Sequence, residues 1–534
     1  MPDLSGPPAR TAGRARDLAD LVAVAAQDNP GKLAVVEAGG RSATWAELED
    51  EVGRVATGLG AAGIVAGHRV LLVLGNRLEF VTTYLAVLRA QAVAVPVNPG
   101  STAGELARVL ADCGARMVLA DPDTVRTVRA AVVDPAGPAT PPRVVVVGGT
   151  LQPGERSYDH LRADRARPVP PLQDPEKLAV LLYTSGTSGL PRAAMLTHRA
   201  LLANIEQVAS VSPPMIHGDD VVLGVLPLFH VYGLNAVLGG VLRHRAKLVL
   251  VDRFDPEGTL DLVEDEACSV VPVAPPVFAH WRGVDGLAER LGPVRLVLSG
   301  SAPLAPEVVE DFTGVTGVPV HQGYGLTEAA PVVTSTLCST APAGPARGSV
   351  GGPLPGIEVR LVDAGGRALP AGDDPGEIQV RGENLFSGYW PDGADGPRED
   401  GWWSTGDVGI LDEAGDLTLV DRVKELVIVS GFNVFPVEVE DVVRETPGVL
   451  EAAVIGVADE TTGEAVVAYV VAEPGADPAA VHRAAVERCA ARLAAYKRPV
   501  RLEVVPELPL TVTGKVQKGR LRQLERRRAL GLLE

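Results

Sequence analysis

Short apolar runs alternate with helix-length patterns through the first third of the chain, and few architectures accept that rhythm. Thr44-Trp45-Ala46-Glu47 is a capping-box pattern that opens a helix towards Gly63. Residues 70–74 then read as a buried strand, 78–90 as a helix and 92–97 as a strand. A helix over 103–113 and a strand over 117–120 follow. Strands this short and this apolar are covered on both faces, so the alternation predicts parallel β-α units and an α/β fold. At 534 residues the chain exceeds one core, and a second domain is expected. The pattern changes after about residue 420. It gives a helix over 437–446, strands over 452–457 and 465–472, a helix over 478–496 and a strand over 501–505. That order predicts a small α+β domain, with domains over 1–420 and 421–534. The basic tail 520–528 reads as a solvated terminal helix.

The apolar run 178–182 leads into Tyr183-Thr184-Ser185-Gly186-Thr187-Ser188-Gly189-Leu190-Pro191-Arg192. Residues 184–189 are four hydroxyl side chains and two glycines. Such a loop can turn several N–H groups and hydroxyls on one anion, with glycine permitting close approach. An exposed polar surface loop has the same composition. It is not a Walker A loop, because no Lys-Ser or Lys-Thr closes it.

The net charge of −18 argues against nucleic acid or an anionic membrane as the main partner. An acidic chain that binds anions must concentrate cations locally. Only seven lysines occur, and four of them fall in the last 111 residues, which marks that region for inspection. Four scattered cysteines fit neither a zinc site nor a disulfide framework, so a reducing, cytoplasmic setting is expected. Residues 1–16 lack the apolar core of a signal peptide, and no run of about 18 apolar residues predicts a membrane span.

As a whole string, Tyr183 to Arg192 resembles the AMP-binding signature of the adenylate-forming superfamily, which includes acyl-CoA synthetases, luciferases and peptide-synthetase adenylation domains. Further strings stand in the family's order. They are Leu226-Pro227-Leu228-Phe229-His230-Val231-Tyr232-Gly233, Ser299-Gly300-Ser301-Ala302-Pro303-Leu304 and His321-Gln322-Gly323-Tyr324-Gly325-Leu326-Thr327-Glu328. Trp402 to Asp407 and Leu508 to Val516 complete the series. One departure is Arg192-Ala193, where the family usually has Lys-Gly.

The resemblance implies an ATP site made from Thr184, Ser185, Gly186, Thr187, Ser188, Gly189 and Arg192. Ser301, Ala302 and Pro303 would lie under the adenine, and Gly323, Tyr324 and Gly325 against its ring. Thr327 would meet a phosphate, Asp407 and Arg422 the ribose, and Glu328 would bind Mg²⁺ with Thr184. His230 would sit beside the substrate carboxylate, although a core histidine would satisfy the same string. Lys515, carried after Gly514, would be the catalytic cation of adenylation. Lys424 would be the hinge of a mobile small domain, and Ser430, Gly431 and Phe432 would meet coenzyme A.

The implied reaction activates a carboxylic acid with MgATP to acyl-AMP and passes the acyl group to coenzyme A. The segment from Phe229 to Asn235 has no carboxylate to pair with an amino acid's ammonium. Residues 271–277, 299–304 and 329–333 supply mostly Val, Ala, Pro and Gly. A medium- to long-chain fatty acid is therefore expected, with an aryl acid second. The alternatives are loading of a separate acyl carrier protein, a luciferase-like oxygenase, and a nucleotide-binding homologue without turnover. A homodimer is compatible with the chain.

Overall fold

The computed structural model describes residues 17–184, 192–302, 304–341, 344–345, 348–363, 365–422, 425, 427–429, 432–459, 462–493, 495–511 and 514–529. Its framework is two seven-stranded sheets. The first runs Arg156–Ser157, Arg143–Val146, Met117–Ala120, Arg69–Val73, Val93–Pro96, Leu178–Thr184, Arg192–Thr197. All its pairs are parallel except the last, where Leu178–Thr184 turns back on Arg192–Thr197. The second runs Val320–Gln322, Leu296–Ser299, Val270–Val273, Val221–Gly224, Lys247–Leu250, Leu33–Glu37, Ser42–Thr44, and again only the final pair is antiparallel. The expected α/β class is present.

The sequence rhythm did not reveal where Leu33–Glu37 goes. It crosses to the second sheet and pairs in parallel with Lys247–Leu250. One apolar cluster joins both sheets through the helices Leu18–Asp28, Trp45–Ala61, Leu78–Arg89 and His198–Ala209. The predicted capping box is formed, with Thr44 N–H donating to Glu47 Oε2 at 2.8 Å and Glu47 N–H to Thr44 Oγ1 at 3.2 Å.

A four-stranded antiparallel sheet follows, Ile357–Val362, Gly372–Gly382, Trp403–Leu411 and Leu417–Arg422. The last sheet has the order Phe432–Val434, Val427–Val429, Gly463–Ala472, Val449–Asp459, with Arg501–Val505 parallel to Gly463–Ala472. Helices Pro436–Arg444 and Pro478–Arg492 share its apolar cores, which draw only on residues beyond 426. The terminal helix Lys518–Ala529 corrects the expectation of a solvated tail. Leu521 is buried against Tyr469, and Arg528 pairs with Glu503 and Glu525.

Candidate active site

Parallel sheets gather ligands where their strands end. The carboxyl ends of both large sheets open into one cleft of ≈ 2570 Å³. Thr184, Arg192, His230, Ser301, Gly323, Tyr324, Gly325, Thr327, Glu328 and Lys515 all line it. Residues Ser185 to Gly189, Pro303, Lys424, Ser430 and Gly431 lie outside the described residues. Ala302 is not part of the lining, and the side chain of Phe432 lies outside the described residues.

The string 321–328 is a strand end and hairpin. Tyr324 O–H donates to Asp407 Oδ2 at 2.6 Å, and both residues are buried. Asp407 faces Arg422 across the antiparallel pair Trp403–Leu411 and Leu417–Arg422. The expected ring and ribose residues therefore meet without a ligand.

The reason for the two glycines differs from the expected approach to a flat ring. A Cβ on Gly323 would lie 2.7 Å from Thr334 O, and one on Gly325 would lie 2.5 Å from Pro331 O. The chain's own returning strand takes up that space. Ser301 holds φ at 76°, a strained value for a residue with a Cβ. The Ser299 and Ser301 hydroxyls are buried without a hydrogen-bond partner. Orphaned hydroxyls at a strand end await a polar ligand, and a nucleotide base or phosphate would satisfy them.

His230 stands two residues before the π-helix Tyr232–Gly239, an element frequent at functional sites. Its Nδ1 accepts from Tyr232 N–H at 3.3 Å, so the ring proton belongs on Nε2. Burial pushes its pKa down to about 4, which leaves a neutral donor at neutral pH. Lys515 is exposed in a tied turn rather than on a loose glycine arm. Thr511 N–H donates to Lys515 O at 2.7 Å, and Lys515 N–H donates to Thr511 Oγ1 at 3.0 Å. Just beyond the turn, Lys518 pairs with Glu440 at 2.8 Å and Glu425 at 3.2 Å. Burial pushes the Glu425 carboxyl up, but Lys518, Arg522 and Lys515 more than offset it and hold it below its ordinary value.

Several residues that hold the site escaped the sequence reading. Asn76 Nδ2 donates to the Gly224, Leu226 and Val251 carbonyls, and its Oδ1 accepts from Leu228 N–H, which laces the two sheets beneath His230. Asn204 grips Val332 by both backbone groups, at 2.8 and 3.1 Å. Asn235 bonds Ala330 O and Asn384 bonds Ala329 O, so three amides clamp the hairpin behind Glu328. Their one sequence signal is an amide among apolar neighbours. Tyr389, whose O–H donates to Glu328 Oε1 at 2.5 Å, carried no signal. Among the described residues no group of three or more His, Cys, Asp or Glu side chains could hold a metal ion. A Mg²⁺ ion held at Glu328 would take its other ligands from phosphate and water.

Two parallel sheets meeting at an orphan-hydroxyl cleft, with a lysine supplied from a separate small body, define a nucleotide-dependent enzyme of the adenylate-forming class. Residues 22–390 match the AMP-binding enzyme family and residues 438–515 the AMP-binding enzyme C-terminal domain, and the chain belongs to this family. It is 36% identical over 518 residues to 4-coumarate–CoA ligase-like 9 of Oryza sativa subsp. japonica, covering 92% of this chain and 89% of the relative. It is 32% identical over 522 residues to the long-chain-fatty-acid–CoA ligase of Bacillus subtilis (strain 168), covering 91% and 90%. Among solved structures, ATP-bound MatB from Rhodopseudomonas palustris superposes with a TM-score of 0.83 at 34% identity, over 95% of this chain and 98% of that one. No helix among the described residues is long and apolar enough to cross a membrane.

Proposed function

We propose that this protein activates an aliphatic carboxylic acid of medium to long chain as acyl-AMP and transfers the acyl group to coenzyme A. In the first half-reaction a carboxylate oxygen attacks the α-phosphorus of ATP. The bond from that phosphorus to the bridging oxygen breaks, and pyrophosphate leaves. His230 Nε2–H donates to the substrate carboxylate and orients it without adding charge. The Lys515 ammonium offsets charge on the α-phosphate as it develops. Tyr324 and Asp407 hold the base and ribose, while the Ser299 and Ser301 hydroxyls take polar contacts under the nucleotide. When bound, Mg²⁺ would neutralise triphosphate charge from Glu328. In the second half-reaction the small domain turns about residues near Lys424. The thiol sulfur then bonds to the acyl carbon, AMP departs with its oxygen, and the thiol proton is lost to solvent.

The observation that carries the substrate reading is the set of apolar side chains that share the cleft with His230. Val208, Met215, Ile216, Ala236, Val237 and Val332 belong to the same cleft lining as His230 and supply it with apolar side chains. An acyl chain lying against them would gain about 0.8 kcal/mol for each methylene it buries. A second reading, an aryl acid, is favoured by Tyr232, whose ring packs so closely on Gly300 that a Cβ there would lie 2.8 Å from Cε1. A panel from acetate to palmitate, with benzoate and coumarate, separates the two. The aliphatic reading expects kcat/KM for pyrophosphate release to climb with chain length and then break. A flat aliphatic series beside a preferred aryl acid overturns it in favour of the second.

A further inference from the structure

The segment around Tyr389 belongs to none of the strings that resemble the family signature, yet it ties two parts of the site together. Its backbone forms a strap on the strand Arg192–Thr197. Ser387 N–H donates to Met195 O at 2.9 Å, Met195 N–H to Gly388 O at 3.1 Å, and Trp390 N–H to Ala193 O at 2.9 Å. At its other end Phe386 N–H donates to Glu328 O at 2.9 Å. The Tyr389 side chain repeats the connection. Its hydroxyl reaches Glu328 Oε1 at 2.5 Å, and the guanidinium carbon of Arg192 lies 3.9 Å above its ring centroid. Arg192 Nη2 also donates to Asp395 Oδ2 at 2.8 Å. Phe386 meets the Tyr389 ring edge-on at 5.0 Å and is itself braced by Trp403 at 5.1 Å.

A phenol that donates to a carboxylate oxygen restrains the plane of that carboxylate and so the direction in which it meets a cation. Arginine's flat guanidinium stacks on the ring, which a lysine ammonium does less well. The unusual Arg192 in place of lysine therefore has a structural partner. We propose that Tyr389 is a positioning residue that orients the Glu328 carboxylate for Mg²⁺, and that Arg192, stacked on the same ring, couples this metal site to the strand Arg192–Thr197. The proposal rests on the reading of Glu328 as the Mg²⁺ ligand.

Calorimetric titration of ATP at a series of Mg²⁺ concentrations, without acid so that nothing turns over, tests it. Tyr389→Phe keeps the ring and removes the donor, and should raise the half-saturating Mg²⁺ about tenfold, the weight of one hydrogen bond to a charged group. Arg192→Lys, with the hydroxyl intact, should shift it less and in the same direction, and its effect should shrink in the Tyr389→Phe background. In Glu328→Gln the Tyr389→Phe change should have no further effect. Identical Mg²⁺ curves for wild type and Tyr389→Phe overturn the proposal while leaving Glu328 as ligand. A Tyr389→Phe shift that persists in Glu328→Gln also overturns it. A wild-type Mg²⁺ curve in Glu328→Gln alone removes Glu328 as ligand and takes the proposal with it.

Discussion

His198 is completely buried in the first turn of the helix His198–Ala209, and neither ring nitrogen meets a hydrogen-bond partner. Burial holds its pKa near 4 against the usual 6.5, with Asp20 opposing and Lys177 assisting. An unfolded chain takes up a proton below 6.5 that the folded chain refuses until about 4, so this residue makes stability rise with pH across that window. Asp17, raised to about 6 by its own burial, acts in the opposite sense, because the folded state keeps its proton to higher pH. Replacing His198 by Leu should therefore flatten the dependence of unfolding free energy on pH between 4 and 6.5. The slope should fall by up to one proton, about 1.4 kcal/mol per pH unit. Urea unfolding across the window measures it, and parallel slopes for variant and parent would count against a neutral buried ring. Lys515→Ala is expected to lower the rate of adenylation by about 10²–10³-fold, the scale for losing a group that stabilises developing charge. Thioester formation from supplied acyl-AMP should be far less affected, and equal losses in both half-reactions would give Lys515 a structural role. At this scale the sequence was legible where a residue acts through local chemistry, as in the Thr44–Glu47 box. It was silent about His198, whose environment is assembled from distant helices.

The hairpin behind Glu328 shows the same divide between elements. Its strand, glycines and acid were readable in a short string. The three amides that hold it come from the helix His198–Ala209, the π-helix Tyr232–Gly239 and the loop at Asn384. Asn204→Ala leaves two backbone groups of Val332 unpaired, which costs about 1–3 kcal/mol for each that stays buried. The variant should have a lower unfolding midpoint and, because Val332 lines the cleft, a raised KM for the acid proposed to bind there. Unchanged KM with lowered stability would confine the clamp to folding. The π-helix itself could not be foreseen, because small apolar residues suit an α-helical period equally well. Its cause is local, since a Cβ on Gly233 would stand 2.3 Å from Pro227 O and only a glycine lets the turns approach so closely. Strands and helices outside these places followed the periodicity to within a few residues.

For the whole molecule, the two-body arrangement was readable from the change of pattern near residue 420, while contacts between the bodies were not. A Cβ on Gly514 would lie 2.2 Å from Pro276 Cγ, so the turn carrying Lys515 rests directly on the large body. If transfer to coenzyme A requires that contact to part by rotation near residue 424, Lys424→Pro should restrict φ there and stop thioester formation. Pyrophosphate release with the acid should remain, and parental thioester rates would exclude a hinge at this residue. The crossing of Leu33–Glu37 to the second sheet has a consequence for how the chain is made. Its partner Lys247–Leu250 begins at residue 247, more than two hundred positions after residue 33. At about 5–20 residues per second the ribosome needs roughly 10–40 s to supply that partner. The first sheet, complete at Thr197, can assemble during that wait. Birth order thus leaves the amino-terminal hairpin as an orphan edge on the nascent chain until its partner strand is made.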